Sequence, residues 1–227
     1  MKKIILILSI ISISNSVFAQ TSSSDPVDVQ GWYGANFNFN LKKKWSAELG
    51  YQARYQNNLK SYSGSYFSFS AAKSVSKRVD LTGEYRLSKV AKGTYHRFSI
   101  GGEYAHKIKS INWGLRLLVL NNIQDFLDPT LASQSSGYWR ARLKMGFKFN
   151  KKWEGYVSTE PIMKFGGNKF VDNWRNTVGI KRKLTSHAKL DLFYMYRPDY
   201  AKTKYNRVYH VVGFNIDFKI PTPKTKK

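Results

Sequence analysis

Apolar and polar residues alternate with a period of two along most of this chain. Between Trp45 and Tyr55 every odd position is apolar or aromatic, and every even position is polar, charged or glycine. The segment 139–149 repeats this pattern, and so does the segment 208–218, where only His210 interrupts the apolar face. A helix would spread such residues around its whole circumference, whereas successive residues of a strand point to opposite faces. The alternation therefore predicts an all-β protein.

Short polar or basic turns join the predicted strands in pairs. These turns occupy residues 41–44, 74–78, 107–110, 150–152 and 183–186. The connections at the opposite strand ends are predicted to be longer and more polar, at residues 57–62, 88–94, 121–137, 163–169 and 199–206. Short turns on one side and longer loops on the other are typical of outer-membrane barrels. About eleven strands can be counted between Val29 and Phe218, and the even numbers usual in bacterial barrels favour ten or twelve.

The apolar face carries aromatic residues near both ends of the strands. Trp45, Trp113 and Trp153 follow short turns, whereas Trp139 and Trp174 lie toward the loops. Two aromatic belts around a band of Ala, Leu, Val and Ile match the two interfaces of a membrane, and a sheet that crosses the dry bilayer core must close. We therefore predict a transmembrane, antiparallel, up-and-down β-barrel of about 10–12 strands. The alternative is a soluble lipocalin-like or periplasmic barrel, which would need the aromatic face turned inward.

The first nineteen residues have the organisation of a secretory signal peptide. Two lysines precede an apolar stretch at 4–13, and Ala19 supplies the small residue at the cleavage point. The stretch is shorter than the roughly 20 residues of a membrane span, which disfavours a retained N-terminal anchor. We therefore expect export to the outer membrane of a Gram-negative bacterium. The predicted organisation is a signal peptide at 1–19, an N-terminal periplasmic segment at 20–28, the barrel at 29–218 and a basic C-terminal tail at 219–227.

The chain is strongly basic, with 38 Lys and Arg against 14 Asp and Glu. The basic residues assigned to the lumen are Arg54, Arg86, Arg97, Arg116, Arg140, Arg142, Lys144, Arg175, Lys181, Arg197 and Arg207. The acidic residues assigned to the same face are Glu48, Glu84, Glu103, Glu154, Glu160 and Asp191. One interpretation is that ion pairs fill the interior, because the planar guanidinium group binds a carboxylate with two hydrogen bonds. The other is an anion path, because unpaired bases in a narrow lumen attract anions, and the ladder of Arg140, Arg142 and Lys144 is then the first candidate for its selective stretch.

Several kinds of chemistry are disfavoured by residues and motifs that the sequence lacks. There is no cysteine, which excludes disulfides, Cys-based zinc sites, iron–sulfur clusters and a thiol nucleophile. Neither a Gly-x-Ser-x-Gly elbow nor a His-Glu-x-x-His metal motif occurs. His210, or His96 with the nearby Ser99, is the alternative for a lipid-modifying enzyme, and the acidic residues at 125–129 do not have a recognisable calcium spacing. We therefore expect no enzymatic activity, no cofactor and no metal site.

Short motifs are spread over nearly all of the mature chain. They are Trp45 to Arg54, Tyr95 to Phe98, Trp139 to Arg142, Asn173 to Arg175, Tyr194 to Arg197 and His210 to Phe214. In this order and spacing they resemble the domain-of-unknown-function 2490 family of bacterial outer-membrane β-barrel proteins. The resemblance implies an outer-membrane barrel, and it implies no activity or catalytic residue. The segment after Phe218 departs from such barrels, which usually end at a terminal aromatic residue, and its prolines make it a poor strand.

Charge at the predicted turns bears on the expected partners. The lysines at 42–44 and 151–152 can pair with lipid phosphates at a membrane surface. Nucleic acid, the other usual partner of a chain with a net charge of +24, is disfavoured by the export signal and the lipid-facing stripe. The expected partners are outer-membrane lipid and lipopolysaccharide, the barrel-assembly machinery and small anions. The expected function is that of a porin-like, narrow, anion-preferring pore; the alternatives are a plugged structural or lipid-contacting barrel without transport and, less favoured, a lipid-modifying enzyme.

Overall fold

The computed structural model describes residues 27–125, 135–166, 171–200 and 207–221. In these ranges the chain forms eleven strands: β1 (Val27–Asn40), β2 (Trp45–Gln56), β3 (Ser61–Ser74), β4 (Val79–Val90), β5 (Gly93–Ile108), β6 (Ile111–Gln124), β7 (Ser135–Lys148), β8 (Trp153–Lys164), β9 (Asn173–Lys183), β10 (Ala188–Asp199) and β11 (Arg207–Ile220). This described part of the chain contains no helix that is long and apolar enough to cross a membrane. The predicted signal peptide, residues 20–26, the parts of the predicted loops at 126–134, 167–170 and 201–206, and the tail after residue 221 lie outside the described residues.

All eleven strands join into one closed barrel. Each strand pairs antiparallel with the next, from β1 and β2 through to β10 and β11. The barrel closes through β1 and β11, which run parallel in a register from Val27↔Val208 to Phe39↔Ile220. The prediction of an all-β barrel of about 10–12 strands is confirmed, whereas the preference for an even number is wrong for the described strands. With an odd number the first and last strands point the same way, so the pair that closes the barrel has to be parallel.

The odd strand number also separates the two ends of the barrel sequence. β1 begins at the end of the barrel where the predicted loops lie, whereas β11 ends where the short turns lie. Residues 27–28 and 219–220, which were predicted to lie outside the barrel, belong to these two strands. The predicted N-terminal periplasmic segment and the predicted basic C-terminal tail therefore adjoin opposite ends of the barrel.

The connections at the two ends of the barrel differ less than the sequence indicated. The turns contain two to four residues. Three connections at the opposite end contain seven to ten residues, at 125–134, 165–172 and 200–206. The other two, predicted as loops at 57–62 and 88–94, are as short as the turns and contain only residues 57–60 and 91–92. Polar residues at these two places extend β3, β4 and β5 instead of forming loops.

The two faces of the sheet have the predicted orientation. Leu49, Ile100 and Leu143 lie on the outer face and are exposed, Ile100 by 71%. The tryptophans of the predicted belts lie near the strand ends: Trp45, Trp113 and Trp153 at the turn ends of β2, β6 and β8, and Trp139 and Trp174 at the loop ends of β7 and β9. A barrel with its aromatic stripe turned inward is therefore excluded. The interior also contains a small apolar cluster that the sequence did not predict, in which Trp32, Met195 and Val211 are buried.

The parallel closure can be tested by cross-linking, because the chain has no cysteine of its own. Ala35 and Ile216 are register partners across β1 and β11. An Ala35→Cys/Ile216→Cys double variant is expected to form a disulfide in the folded barrel, because register partners on neighbouring strands lie within the distance that a disulfide spans. Gels run with and without reducing agent check this. The control is Ala35→Cys/Val212→Cys, four residues out of register; cross-linking of the control but not of the first pair would contradict the closure.

Candidate functional site in the barrel lumen

The lumen brings together the basic residues that the alternation assigned to it. Arg54 lies over the Trp32 ring, Arg97 donates from Nε to Oδ1 of Asn122 at 2.5 Å, and Arg140 pairs with Glu160. The other predicted bases of the lumen occupy the same inward phase of their strands: Arg86, Arg116, Arg142, Lys144, Arg175, Lys181, Arg197 and Arg207. The chemistry of the lumen therefore depends on which of these bases have acidic partners.

The lumen contains more acidic residues than the alternation predicted. Among the described side chains that lie on the inward phase and are not exposed, the structure adds Asp28, Asp80, Asp199 and Asp217 to the six predicted acids. Eleven bases therefore face ten acids, and the predicted overall excess of eleven against six is wrong. All four missed residues lie within three residues of a strand end. Asp217 lies on the polar phase of the alternating segment 208–218, and extension of the alternation to the strand ends would have found Asp28, Asp80 and Asp199.

The charges of the lumen are separated along the barrel axis. Each strand has a loop end, where the predicted loops lie, and a turn end, where the short turns lie. The loop half consists of the inward-facing, non-exposed residues within five residues of the loop end of their strand. The turn half consists of all other inward-facing, non-exposed residues. The loop half contains seven arginines, Arg54, Arg86, Arg97, Arg140, Arg175, Arg197 and Arg207, and three carboxylates, Asp28, Glu160 and Asp199. The turn half contains four bases, Arg116, Arg142, Lys144 and Lys181, and seven carboxylates, Glu48, Asp80, Glu84, Glu103, Glu154, Asp191 and Asp217. The basic excess of the lumen is therefore confined to one half.

Three arginines of the loop half surround a single indole ring. The guanidinium carbon of Arg54 lies 3.7 Å from the ring centroid of Trp32 and 3.9 Å from that of Tyr66, so this group is stacked between two aromatic faces. The guanidinium carbons of Arg175 and Arg197 lie 5.7 and 6.0 Å from the same Trp32 centroid. Stacking holds a guanidinium plane in place while leaving its N–H edge available to an anion. Trp32 was not predicted, although an aromatic residue on the polar phase of β1 is a visible signal.

Glu160 is the central carboxylate of the loop half. Arg140 donates from Nη2 to both of its oxygens, at 2.7 and 2.8 Å, and Arg175 approaches the second oxygen at 3.5 Å. Only 9% of the Arg140 side chain and 8% of the Glu160 side chain are exposed. The ion-pair interpretation therefore describes Arg140 correctly. One carboxylate here compensates two arginines, so the loop half keeps a positive surplus.

The predicted ladder of Arg140, Arg142 and Lys144 is divided by these contacts. Arg140 is paired with Glu160, and the one carboxylate within 4.0 Å of Arg142 among the described residues is the partly exposed Glu103, at 3.7 Å. Lys144 lies 4.1 Å above the Tyr156 ring and has no carboxylate within 4.0 Å among the described residues. Of the three predicted residues, Arg142 and Lys144 therefore present charge to the lumen.

Other arginines also lack acidic partners among the described residues. No carboxylate lies within 4.0 Å of Arg54, Arg86, Arg97 or Arg116 in this part of the chain. Within the described ranges, the buried Nε atoms of Arg86 and Arg116 have no hydrogen-bond acceptor. Because a buried guanidinium N–H without an acceptor is unfavourable, these groups are suited to bind oxygen atoms of water or of an anion.

A cavity of about 380 Å³ lies inside the barrel where the two halves meet. Arg140, Glu160 and Arg175 of the loop half line it, together with Glu48, Lys144 and Asp217 of the turn half. Its volume is within the range of about 300–1,000 Å³ that small-molecule sites have. We call this space the lumen cavity.

The histidines lie away from the lumen cavity. On the outer face Tyr85 Oη lies 2.9 Å from His96 Nδ1, and Tyr194 Oη lies 2.6 Å from His210 Nδ1. Ser99 is on the inward phase of β5 and His96 on the outward phase, so the structure does not bring this predicted nucleophile and base together. Among the described residues, no group of three His, Cys, Asp or Glu side chains is arranged to hold a metal ion.

The charge of the loop end depends on Asp172, which lies outside the strands. Partial burial raises the pKa of this carboxyl group above its usual value, the hydrogen bond that Asn173 donates to it lowers the pKa, and the negative charge of Asp199 raises it. The net rise means that Asp172 becomes neutral at a higher pH than an ordinary aspartate. Acidification therefore removes negative charge from the loop end and increases its positive surplus.

Comparison with known proteins gives a family and a fold. A family model described as "Protein of unknown function (DUF2490)" matches residues 29–209. No curated protein matches the chain. Among solved structures, a NanC porin in a rhombohedral crystal form is similar with a TM-score of 0.51 at 13% sequence identity, over 74% of this chain and 86% of that chain. At this identity the similarity shows a porin-like β-barrel fold.

Proposed function

The chain belongs to the DUF2490 family, and from this premise and the charges of its lumen we propose that it is an outer-membrane β-barrel with a narrow, anion-preferring pore. The observation that carries the proposal is the surplus of seven arginines over three carboxylates in the loop half. Positive groups in a low-dielectric passage raise the local concentration of anions and repel cations. The proposal is supported by the arginines around Trp32, because a solute that enters from the loop end would meet Arg54 stacked on this ring and Arg175 and Arg197 beside it.

The location is part of the same proposal. The porin-like fold, the exposed apolar residues on the outer face and the tryptophans at both strand ends support insertion into an outer membrane. Outer-membrane lipid and lipopolysaccharide are then the partners of the outer face, the barrel-assembly machinery is the partner during insertion, and small anions are the partners of the lumen. We propose no enzymatic role, because the candidate residues His96 and Ser99 lie on opposite faces of β5.

The second candidate is a plugged barrel without transport. It is favoured by the buried cluster of Trp32, Met195 and Val211, which fills part of the interior next to Arg54 and Arg175. In this arrangement the arginines would serve as an internal scaffold of ion pairs. The two candidates differ in a directly measurable quantity, the ionic conductance of a single folded barrel.

Planar bilayers with a tenfold KCl gradient are the test of the anion-preferring pore. We expect discrete conductance steps and a reversal potential displaced toward the chloride equilibrium potential, because the arginines of the loop half exclude potassium. Folding of the inserted protein is checked on gels, where an unboiled barrel migrates differently from a boiled one. A displacement toward the potassium equilibrium potential would contradict the anion preference, and folded protein without conductance steps would favour the plugged barrel.

A further inference from the structure

The charges of the turn half are also separated across the lumen. Its bases lie on β6, β7 and β9: Arg116, Arg142, Lys144 and Lys181. Six of its seven carboxylates lie on the strands from β10 through β11, β1 and β2 to β5: Asp191, Asp217, Glu48, Asp80, Glu84 and Glu103. Every described inward base toward the turn ends of that second group of strands is exposed. On β6 to β9, the described turn half contains one carboxylate, Glu154. We call these surfaces the basic wall and the acidic wall.

Among the described residues, ion pairs compensate the walls near the two seams where they meet. At the seam between β9 and β10, Lys181 lies 3.2 Å from Asp191 and 3.7 Å from Asp217, and near the seam between β5 and β6, Arg142 lies 3.7 Å from Glu103. Lys144 on the basic wall has no carboxylate within 4.0 Å, and Glu48 on the acidic wall has no cationic group within 4.0 Å, among the described residues. An uncompensated cation and an uncompensated carboxylate therefore face the lumen from strands β7 and β2, on opposite sides of the barrel.

Both of these groups line the lumen cavity. Lys144 and Arg142 border it from one wall and Glu48 borders it from the other. Between them Asn36 and Gln52 supply amides, and Ser158 and Thr177 supply hydroxyl groups. A solute with one negative and one positive group can satisfy both walls at once, whereas a simple anion meets repulsion from Glu48 and a simple cation meets repulsion from Lys144.

We propose that the lumen cavity is a binding and transit site for small zwitterions that carry a carboxylate and an ammonium group, as α-amino acids do. The carboxylate lies against Arg142 and Lys144, and the ammonium group lies against Glu48. This inference rests on the proposed function, because the solute must reach the cavity through the lumen. It adds a solute class to that function: the arginines of the loop half attract the negative group, and the two walls of the turn half select a solute that also carries a positive one.

Efflux of labelled solutes from liposomes containing the full-length mature protein tests the proposal. Serine, glycerate, serinol and glycerol have the same three-carbon skeleton. Serine carries a carboxylate and an ammonium group, glycerate carries only the carboxylate, serinol carries only the ammonium group, and glycerol carries neither. We expect serine to leave several-fold faster than glycerate, with serinol the slowest. Efflux of glycerate without faster efflux of serine would overturn the zwitterion site and leave the anion pore standing. Absence of protein-dependent efflux of both serine and glycerate from folded protein would overturn the zwitterion site, and absence of conductance steps in KCl as well would overturn both.

Two variants, one on each wall, test which residues cause the faster efflux of serine than of glycerate. Glu48→Gln is expected to abolish the advantage of serine over glycerate without slowing glycerate, and Lys144→Gln is expected to slow both solutes. The matched control is Glu154→Gln, the same change in the same half of the lumen but on the basic wall, which is expected to preserve the advantage of serine. Unboiled gels show whether a variant is folded, and if Glu48→Gln misfolds, the ratio of serine to glycerate efflux in the unaltered protein still decides between a zwitterion site and a plain anion pore. An unchanged ratio of serine to glycerate in folded Glu48→Gln would refute the assignment.

Discussion

Replacement of Glu160 by glutamine is expected to destabilise the barrel by about 3–5 kcal/mol, the usual cost of removing one partner from a buried ion pair. The reason is that Glu160 is paired with both Arg140 and Arg175, and that 9% of the Arg140 side chain and 16% of the Arg175 side chain are exposed. Without the carboxylate, two guanidinium groups remain close together in a poorly solvated space. Urea unfolding of the detergent-solubilised barrel, followed by circular dichroism, measures the change in the free energy of unfolding.

Glu103→Gln is the matched control for this prediction. Its partner Arg142 lies 3.7 Å away, and 39% of the Glu103 side chain is exposed, so water can replace the lost contact. The expected loss is within about 1 kcal/mol, as for ion pairs near solvent. Equal destabilisation by the two variants would show that burial of the Glu160 network contributes nothing specific to stability.

The alternation was sufficient to predict the class of fold and the direction of the side chains. Because side chains of a strand point alternately to two faces, one correctly phased residue such as Trp45 or Arg54 fixes its whole strand. This is why all the bases predicted for the lumen lie on the inward face of the sheet. It is also why Trp32 and Asp217 could have been assigned to the lumen: each follows the same phase as its polar neighbours in β1 and β11.

The contacts between strands could not be obtained in the same way. Whether Arg140 meets Glu160 depends on the register of β7 against β8, which aligns Arg140 with Ile162. That register follows from the closure of the entire barrel, because strand number, tilt and stagger are linked. The parallel contact of β1 with β11 is also a property of the closed sheet and leaves no local pattern in either strand. The separation of charge into two halves and two walls became visible only when the strand ends and the strand order were known.

Removal of three arginines from the loop half is expected to abolish the anion preference of the pore. Arg54, Arg86 and Arg97 have no carboxylate within 4.0 Å among the described residues, so their replacement by glutamine leaves no buried acid without its partner. The loop half would then hold four arginines against its three carboxylates, and the acidic turn half would dominate the lumen. The reversal potential in a tenfold KCl gradient is expected to move to zero or to the potassium side.

The control for the arginine variant removes three positive charges from exposed lysines at the turn end of the barrel instead of from the lumen. Lys148, Lys183 and Lys189 lie at the turn ends of β7, β9 and β10 and are exposed. In bulk solution at 0.1 M salt, charges are screened over about 10 Å, so the Lys→Gln triple variant is expected to shift the reversal potential much less than the arginine variant does. This difference separates selection inside the lumen from a general effect of net charge. Equal shifts in the two variants would mean that net charge, and not the position of the loop-half arginines, sets the ionic preference of the barrel.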